Sequence, residues 1–177
     1  MGGSGSGKSS YAEDYITKLS GDCGKYYIAT MQVYDAEGRE KVFRHRKMRE
    51  GKGFLTIEQS TDIQQAAHKM EKKTAIENAG LLECMSNLVA NEMFREDEIR
   101  DGKLVQKSII GGIKEVLKTV KDFIIVTNNV FEDGIIYDET TMNYVRTMGC
   151  INQELAKMAD RVIEVVVGIP IIVKEEK

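Results

Sequence analysis

The first nine residues, MGGSGSGKS, combine side chains and spacing that suit phosphate chemistry. The residues that match the pattern G-x-x-x-x-G-K-[ST] are Gly2, Gly7, Lys8 and Ser9, with Gly3, Ser4, Gly5 and Ser6 between them. In such a loop, backbone N–H groups point at phosphate oxygens, the lysine neutralises the β and γ phosphates, and the hydroxyl ligates Mg²⁺. The pattern therefore predicts a phosphate-binding loop, with Lys8 catalytic and Ser9 a metal ligand.

A flexible Gly/Ser linker is the alternative interpretation of the same residues. Against it, an amphipathic helix follows from Ser9 or Ser10, which is where a phosphate loop requires one. The helical spacing is carried by Ala12, Tyr15, Ile16 and Leu19. In favour of the linker, a phosphate loop should directly follow a buried strand, and only Met1 precedes this loop. A native protein without this strand would lose the burial of about five apolar side chains, each of which stabilises the fold by on the order of 1.5–3 kcal/mol. Because such a loss is comparable with the stability of a whole domain, we expect the first strand to be missing from this chain and the native product to start upstream.

A second candidate group lies in KVFRHRKMR, where cations surround His45. These cations are Arg44, Arg46, Lys47 and Arg49. In a helix, Val42, His45 and Arg49 share one face, and nearby cations disfavour the imidazolium form. A neutral imidazole near pH 7 is the state that a nucleophilic histidine needs to attack phosphorus. The spacing alone favours the alternative, a solvated basic helix with an incidental histidine.

Composition narrows the class of protein. The chain has 177 residues, with 42% hydrophobic and 30% charged residues, which suits one buried core and a single domain over residues 1–177. Its net charge of −3 offers no basic field for nucleic acid. The cysteines Cys23, Cys84 and Cys150 show no metal-ligand spacing, so we expect reduced thiols. The apolar runs are too short to span a bilayer, so we expect a soluble, cytoplasmic protein without membrane insertion.

Strand-like runs alternate with amphipathic stretches along the chain. The predicted strands cover residues 25–31, 54–59, 79–85, 122–128, 161–167 and 169–174. The predicted helices run from residue 9 or 10 to 19, and over 37–50, 60–73, 86–96, 106–120 and 139–158. This alternation predicts an α/β fold with a mainly parallel sheet and helices on both faces.

The loop and the cation-framed histidine, in this order and separation, resemble the bifunctional adenosylcobinamide kinase/adenosylcobinamide-phosphate guanylyltransferase family of cobalamin biosynthesis. The resemblance runs over essentially the whole chain. KVFRHRKMR is similar to the segment that carries the family's guanylylated histidine, and FLTIEQ retains Thr56 and Glu58. LLECMSNLVAN resembles a strand-end acid followed by cysteine and asparagine. GCINQELAKMAD matches the pattern Gly-x-x-Asn-Gln-x-Leu-Ala-x-x-Ala-Asp.

This resemblance implies a P-loop (RecA-like) fold, two reactions and a homotrimer. The kinase step passes the terminal phosphate of ATP or GTP to the aminopropanol hydroxyl of adenosylcobinamide, with Mg²⁺. The transferase step passes GMP from GTP through His45 to the cobinamide phosphate. Beyond the loop, the expected nucleotide-binding residues are Arg46, Arg49, Glu58 and Glu83. Glu83, at the end of the apolar run GLL, is also the expected partner of Ser9 in holding Mg²⁺, although a capping acid for the helix at Ser86 is the alternative.

The sequence also departs from the family pattern. Asn129 replaces a glutamate, FEDGIIYD replaces a glycine-rich turn, and YVRTMG leaves Arg146 displaced. Two alternatives therefore stay open. One is a P-loop small-molecule kinase without guanylyltransferase activity, for which His45 is dispensable. The other is an inactive nucleotide-binding homologue.

Overall fold

The fold is described from a computed structural model of the protein. The structure describes residues 1–21, 23–33, 35–70, 78–95, 98–131, 134, 135 and 137–176, except the side chains of residues 37, 41 and 48.

Helices and strands alternate through the described chain. In order, they are α1 Lys8–Ser20, β1 Gly24–Ala29, α2 Ala36–Arg49, β2 Phe54–Glu58, α3 Gln64–Lys69, β3 Asn78–Glu83, α4 Met85–Met93, β4 Phe94–Arg95, β5 Glu98–Ile99, α5 Gly102–Leu117, β6 Asp122–Val126, α6 Glu139–Met158, β7 Arg161–Val166 and β8 Ile169–Glu175. The predicted alternation is confirmed, and α6 has the predicted bounds. The short antiparallel pair β4–β5 was not predicted.

Four strands form one parallel sheet in the order β2-β1-β3-β6. Its register aligns the carboxyl ends of the strands, since Ala29 of β1 lies opposite both Glu58 and Glu83. The edge to which parallel strands point is where such folds place ligand-binding side chains. The sheet therefore brings the two carboxylates predicted from separate segments to the same edge.

Apolar side chains cover both faces of the sheet. On one face, Ile28 and Leu82 pack with buried residues of α3, α4, α5 and α6. On the other face, Tyr27 and Leu81 pack against Ala12 and Ile16 of α1. The prediction of a mainly parallel sheet with helices on both faces is thus confirmed.

Helix α3 begins later than predicted, because residues 60–63 form a turn. Asp62 adopts a left-handed conformation with φ of 48°, and its N–H donates to the carboxylate of Glu92 at 2.6 Å. Glu92 is 1% exposed and accepts ion pairs from Arg95 and Arg100. The end of this predicted helix, residues 71–73, lies outside the described residues.

A slot separates β6 from the antiparallel hairpin β7–β8. Within the described part of the chain, Met1 and Gly2 bridge it by backbone hydrogen bonds: Met1 N donates to Ile163 O, Val165 N donates to Met1 O, and Gly2 pairs in parallel with Asn128. These bonds have the pattern of a parallel strand's last two residues. Beyond them lies a cavity of about 490 Å³. Its lining includes Leu19, which belongs to the predicted apolar face of α1 yet is 42% exposed because nothing among the described residues fills the slot.

The turn of the β7–β8 hairpin is strained. Val167 has φ of 44° and Gly168 has φ of 84°. Glycine tolerates this region, whereas a β-branched residue there costs on the order of 1–3 kcal/mol. The strained residue lies beside the phosphate loop, because Gly168 N donates to Ser6 O at 2.8 Å.

Candidate functional site

Residues 2–9 form a tight loop that ends at the start of α1. Gly5 and Gly7 have φ of 71° and 88°, conformations that L side chains rarely adopt, so glycine is required at both positions. Ser6 N donates to Gly3 O, which closes a turn, and Gly7 precedes the first helical residue. The loop thus ends at a helix N-terminus, where unpaired N–H groups favour an anion.

Lys8 and Ser9 stand at the first turn of α1. The Lys8 ammonium donates to Gly3 O at 3.1 Å, so the lysine folds back across the loop. Ser9 Oγ donates a hydrogen bond to Glu83 Oε1, which joins α1 to the end of β3. The loop and the strand-end acid, which the sequence places 74 residues apart, are therefore in direct contact.

Glu83 is a carboxylate in a poorly solvated position. Burial raises the pKa of Glu83, while the hydrogen bond from Ser9 and the charge of Lys8 oppose that rise. Its second oxygen, Oε2, is buried with no hydrogen-bond partner among the described residues. A hydroxyl beside a carboxylate with an unused oxygen is a donor set that Mg²⁺ accepts, because Mg²⁺ is bound by one or two carboxylates together with phosphates and water. Ser9 and Glu83 could therefore hold this ion.

His45 lies on α2, half-buried, and faces the same cavity as the loop. This cavity measures about 1310 Å³. Its lining includes Lys8, Ser9, His45, Glu83, Asn87 and Asn128. The structure thus brings the two predicted catalytic residues, Lys8 and His45, to a single cavity.

The two predicted arginines of α2 differ in their surroundings. Arg46 is exposed and forms a 2.7 Å ion pair with Glu58 at the end of β2. Arg49 is 7% exposed and lies over the ring of Tyr27, 3.5 Å from its centroid. Both line the cavity, but Arg49 also anchors α2 to the sheet through a cation–π contact.

A further anchor of α2 involves Lys52 and Glu13, which sequence reasoning did not single out. Lys52 follows α2 and pairs with Glu13 at 2.9 Å and with Asp14 at 3.0 Å, both on α1. Glu13 is fully buried. Burial lowers the pKa of Lys52, but hydrogen bonds to the two carboxylates outweigh it and raise the pKa overall. The sequence feature that could have pointed to this ion pair is Glu13 itself, a glutamate next to Ala12 on the buried face of α1.

The asparagines of α4 fall into two roles. Asn91 donates from its amide to Thr30 O at 2.8 Å and to Ser60 O at 2.9 Å, so it ties the segments that follow β1 and β2. Asn87, one turn earlier, lines the cavity instead. Asn91 is therefore structural, and Asn87 is available to a ligand.

The described residues that depart from the family pattern are not part of the lining of the His45 cavity. Asn129 N donates to Gly2 O, and the Asn129 side chain lines a second cavity beside the loop. Arg146 is exposed and pairs with Glu139 at 2.9 Å on the surface of α6. Residues 132, 133 and 136 of the reshaped turn lie outside the described residues.

A four-stranded parallel sheet flanked by helices, with a glycine-rich loop at a helix N-terminus, defines a fold consistent with the P-loop nucleotide-binding class. The family model for cobinamide kinase/cobinamide phosphate guanyltransferase matches residues 1–173. The chain therefore belongs to this family of bifunctional enzymes.

Two curated relatives agree with this assignment. The chain is 29% identical to the bifunctional adenosylcobalamin biosynthesis protein CobU of Escherichia coli K12, over 98% of this chain and 97% of that protein. It is 27% identical to the bifunctional adenosylcobalamin biosynthesis protein CobP of Pseudomonas aeruginosa, over 99% and 96%.

Three further observations bear on the sequence-based expectations. The three cysteines, all within the described residues, form no disulfide with one another. Among the described helices, none is long and apolar enough to cross a membrane. No group of three or more His, Cys, Asp or Glu side chains in the described ranges could hold a metal ion by itself.

Proposed function

We propose that this chain phosphorylates the aminopropanol hydroxyl of adenosylcobinamide and then transfers GMP from GTP to the product through His45. The observation that carries the proposal is the single cavity that both Lys8 and His45 line. A kinase that used the loop alone would not need an imidazole facing the same cavity. The product of the first reaction is the acceptor of the second, so one cavity can serve both.

In the kinase step, ATP or GTP binds with its phosphates along residues 2–9. The backbone N–H groups and Lys8 position and neutralise the phosphates, which is the main requirement of phosphoryl transfer. The bond between the γ-phosphorus and the β–γ bridging oxygen breaks, and a bond forms to the substrate hydroxyl oxygen. Ser9 and Glu83 would hold Mg²⁺, which offsets the phosphate charge.

In the transferase step, a ring nitrogen of His45 attacks the α-phosphorus of GTP. A phosphorus–nitrogen bond forms, and the bond to the leaving pyrophosphate breaks. An oxygen of the cobinamide phosphate then attacks the same phosphorus and releases the imidazole. Two displacements replace one difficult transfer, which is the usual gain of covalent catalysis. Arg46 and Arg49 border the cavity and would orient the triphosphate, while Glu58, which also borders it, would position Arg46 through their ion pair.

Intact-protein mass spectrometry after incubation with GTP and Mg²⁺ tests the transferase proposal. We expect an acid-labile GMP adduct on the wild type and none on His45→Asn, which should keep its kinase activity. Lack of an adduct on folded wild-type protein would contradict the role of His45 and leave a kinase alone. Failure of both reactions would favour the inactive homologue.

We also propose that the complete fold is RecA-like, with a parallel strand that leads into Met1 and fills the slot between β6 and β7. Two observations support it: Met1 and Gly2 already pair in parallel with both neighbours, and Asn152 Nδ2 is buried beside the slot without a partner among the described residues. Adding five β-branched residues before Met1 should raise the Tm by more than about 5 °C. A matched extension of Gly and Ser is the control, and equal Tm values would contradict the proposal.

We also propose a homotrimer, which the family resemblance implies and which two exposed apolar side chains support. Phe43 of α2 is 66% exposed and Leu55 of β2 is 52% exposed. Light scattering across a dilution series should give three times the monomer mass. A monomer at every concentration would contradict it.

A further inference from the structure

The β7–β8 turn packs directly against the phosphate loop, backbone to backbone. Gly168 N donates to Ser6 O at 2.8 Å, and a Cβ on Gly7 would lie 3.4 Å from the Cα of Gly168. A Cβ on Gly2 would come within 2.5 Å of Val165 O. The hairpin therefore packs along one side of the phosphate loop, and this contact fixes the position of the β7–β8 turn.

Val167 at this turn has two properties that folding alone does not explain. Its φ of 44° is unfavourable for a β-branched residue, and asparagine or aspartate before glycine is the usual choice in such turns. Its side chain is also 82% exposed, so no apolar burial offsets the strain. Strained residues that persist beside a binding loop point to a ligand contact.

A cavity of about 710 Å³ opens at this turn. It is lined by residues 3–6 of the loop, by residues 164–167 of the hairpin, and by residues that include Asn129, Tyr137 and Tyr144. Aromatic and apolar walls with a few polar groups suit a small organic ligand. The carboxylate of Glu164 disfavours a phosphate chain there but accepts hydrogen bonds from amino or hydroxyl groups.

The two cavities meet at the phosphate loop, because Ser4 and Gly5 line both. Glu83 ends β3, the sheet neighbour of β6, and lines the first cavity, whereas β7 is joined to the segment after β6 through Met1 and Gly2 and lines the second. The terminal phosphate belongs with Ser9 and Glu83. A phosphate chain that continues along residues 3–6 of the loop reaches the second cavity, which these residues line together with the hairpin.

We propose that this second cavity binds the nucleoside moiety of the triphosphate held by the loop, with Val167 in contact with it. The proposal rests on the phosphate-binding role of residues 2–9. It separates the donor nucleoside of the kinase step from the guanylyl group on His45, which lines the first cavity and not the second. One chain would then hold two nucleotides in different places.

Calorimetric titration of a Val167→Asn variant with ATP, GTP and tripolyphosphate, each with Mg²⁺, tests the proposal. A His45→Asn background prevents guanylylation. Asparagine suits the left-handed turn, so the Tm should rise, while the lost apolar contact should weaken both nucleotides about threefold to tenfold. Tripolyphosphate, which has no nucleoside, should bind within about twofold of the parent value. Val173→Asn, at an exposed valine on β8, is the matched control and should change none of these affinities.

Each other outcome has a distinct meaning. Equal weakening of tripolyphosphate and nucleotides would mean that Val167 acts through the shape of the loop, which overturns the proposal. A raised Tm with unchanged nucleotide affinities, repeated in Val167→Gly, would also overturn it. If tripolyphosphate does not bind the parent protein at all, the phosphate-binding role itself fails, and this inference fails with it.

Discussion

The two sides of the His45 cavity are held by different forces. The phosphate loop is fixed by backbone hydrogen bonds to β6, β7 and the hairpin turn, and α1 buries Ala12 and Ile16 against the sheet. Helix α2 has no buried apolar side chain among those described, and the contacts that tie it to the sheet include the Arg46–Glu58 ion pair and the cation–π contact of Arg49. The loop side of the cavity is therefore preformed. The α2 side is held by charged contacts, for which a bound triphosphate can compete.

Among the substitutions considered, Lys8→Met, on the preformed side of the cavity, should lower activity the most. Loss of one positioned donor to a reacting phosphate should lower kinase kcat/KM by about 10³-fold. The fold should be unaffected, because Lys8 contacts only Gly3 O by a described hydrogen bond. Steady-state kinetics and a thermal melt measure the two effects. A loss of less than about tenfold would mean that the loop does not bind the reacting phosphates.

Glu83→Gln should lower kinase activity by about 10²-fold, since it removes a carboxylate next to the metal-binding hydroxyl. In the wild type, kcat/KM of the kinase reaction reports the enzyme before Mg²⁺ and nucleotide bind, so it should fall as the pH falls through the pKa of Glu83, which burial raises above its ordinary value. The pH–rate midpoint should lie above that of a solvated carboxyl group and be absent in the variant.

The same variant should be more stable than the wild type at pH 7. An acid whose pKa is raised on folding destabilises the folded state once it ionises, so that cost is present at pH 7 and is lost as the pH falls. Denaturant unfolding at pH 7 checks this result. Lower stability with unchanged kinase activity would identify Glu83 as a helix-capping acid.

Lys52→Met tests the charged anchor of α2. The substitution leaves Glu13 buried without this partner, which should lower the free energy of unfolding by about 2 kcal/mol. The loss should be smaller than that from breaking a fully buried ion pair, because Lys52 is partly solvated. His45 guanylylation should slow more than the kinase reaction. The double variant Glu13→Gln/Lys52→Met should recover part of the stability, while Lys18→Met, at an exposed lysine on α1, is the control. Equal slowing of both reactions would mean that the anchor does not act on α2 in particular.

Arg46→Ala should give the smallest effect on stability, below about 1 kcal/mol, because Arg46 and Glu58 are 59% and 73% exposed. Its guanylylation rate should depend less on salt than that of the wild type, since one screened cation is gone. Rates at low and high ionic strength check this. An unchanged salt dependence would exclude Arg46 from triphosphate binding.

The preformed side was largely predictable from sequence, because its determinants are local. Gly5 and Gly7 occupy left-handed conformations that the motif already required, and Glu83 ends an apolar run that can only be a buried strand. The adjustable side was not predictable in the same way. That Arg49 lies over Tyr27 and that Glu13 pairs with Lys52 depend on how separate segments pack, and no local pattern encodes it.

The residues around the hairpin turn show the same limit. The sequence marks Val167 as part of a strand, yet it stands in a turn whose conformation depends on the contact between Gly168 and the loop, 162 positions away from Ser6. The slot beside β6 likewise depends on the order of the strands in space, and the hydrophobic periodicity of the sequence does not reveal that order.

That none of the described side chains of α2 is both apolar and buried also has a calorimetric consequence. Heat-capacity changes mainly report apolar surface that enters or leaves water. A shift of α2 during guanylylation would move little such surface, so the enthalpy of that step should vary little with temperature. A strand entering the slot beside β6 would cover much more, and its enthalpy should change steeply over the same range.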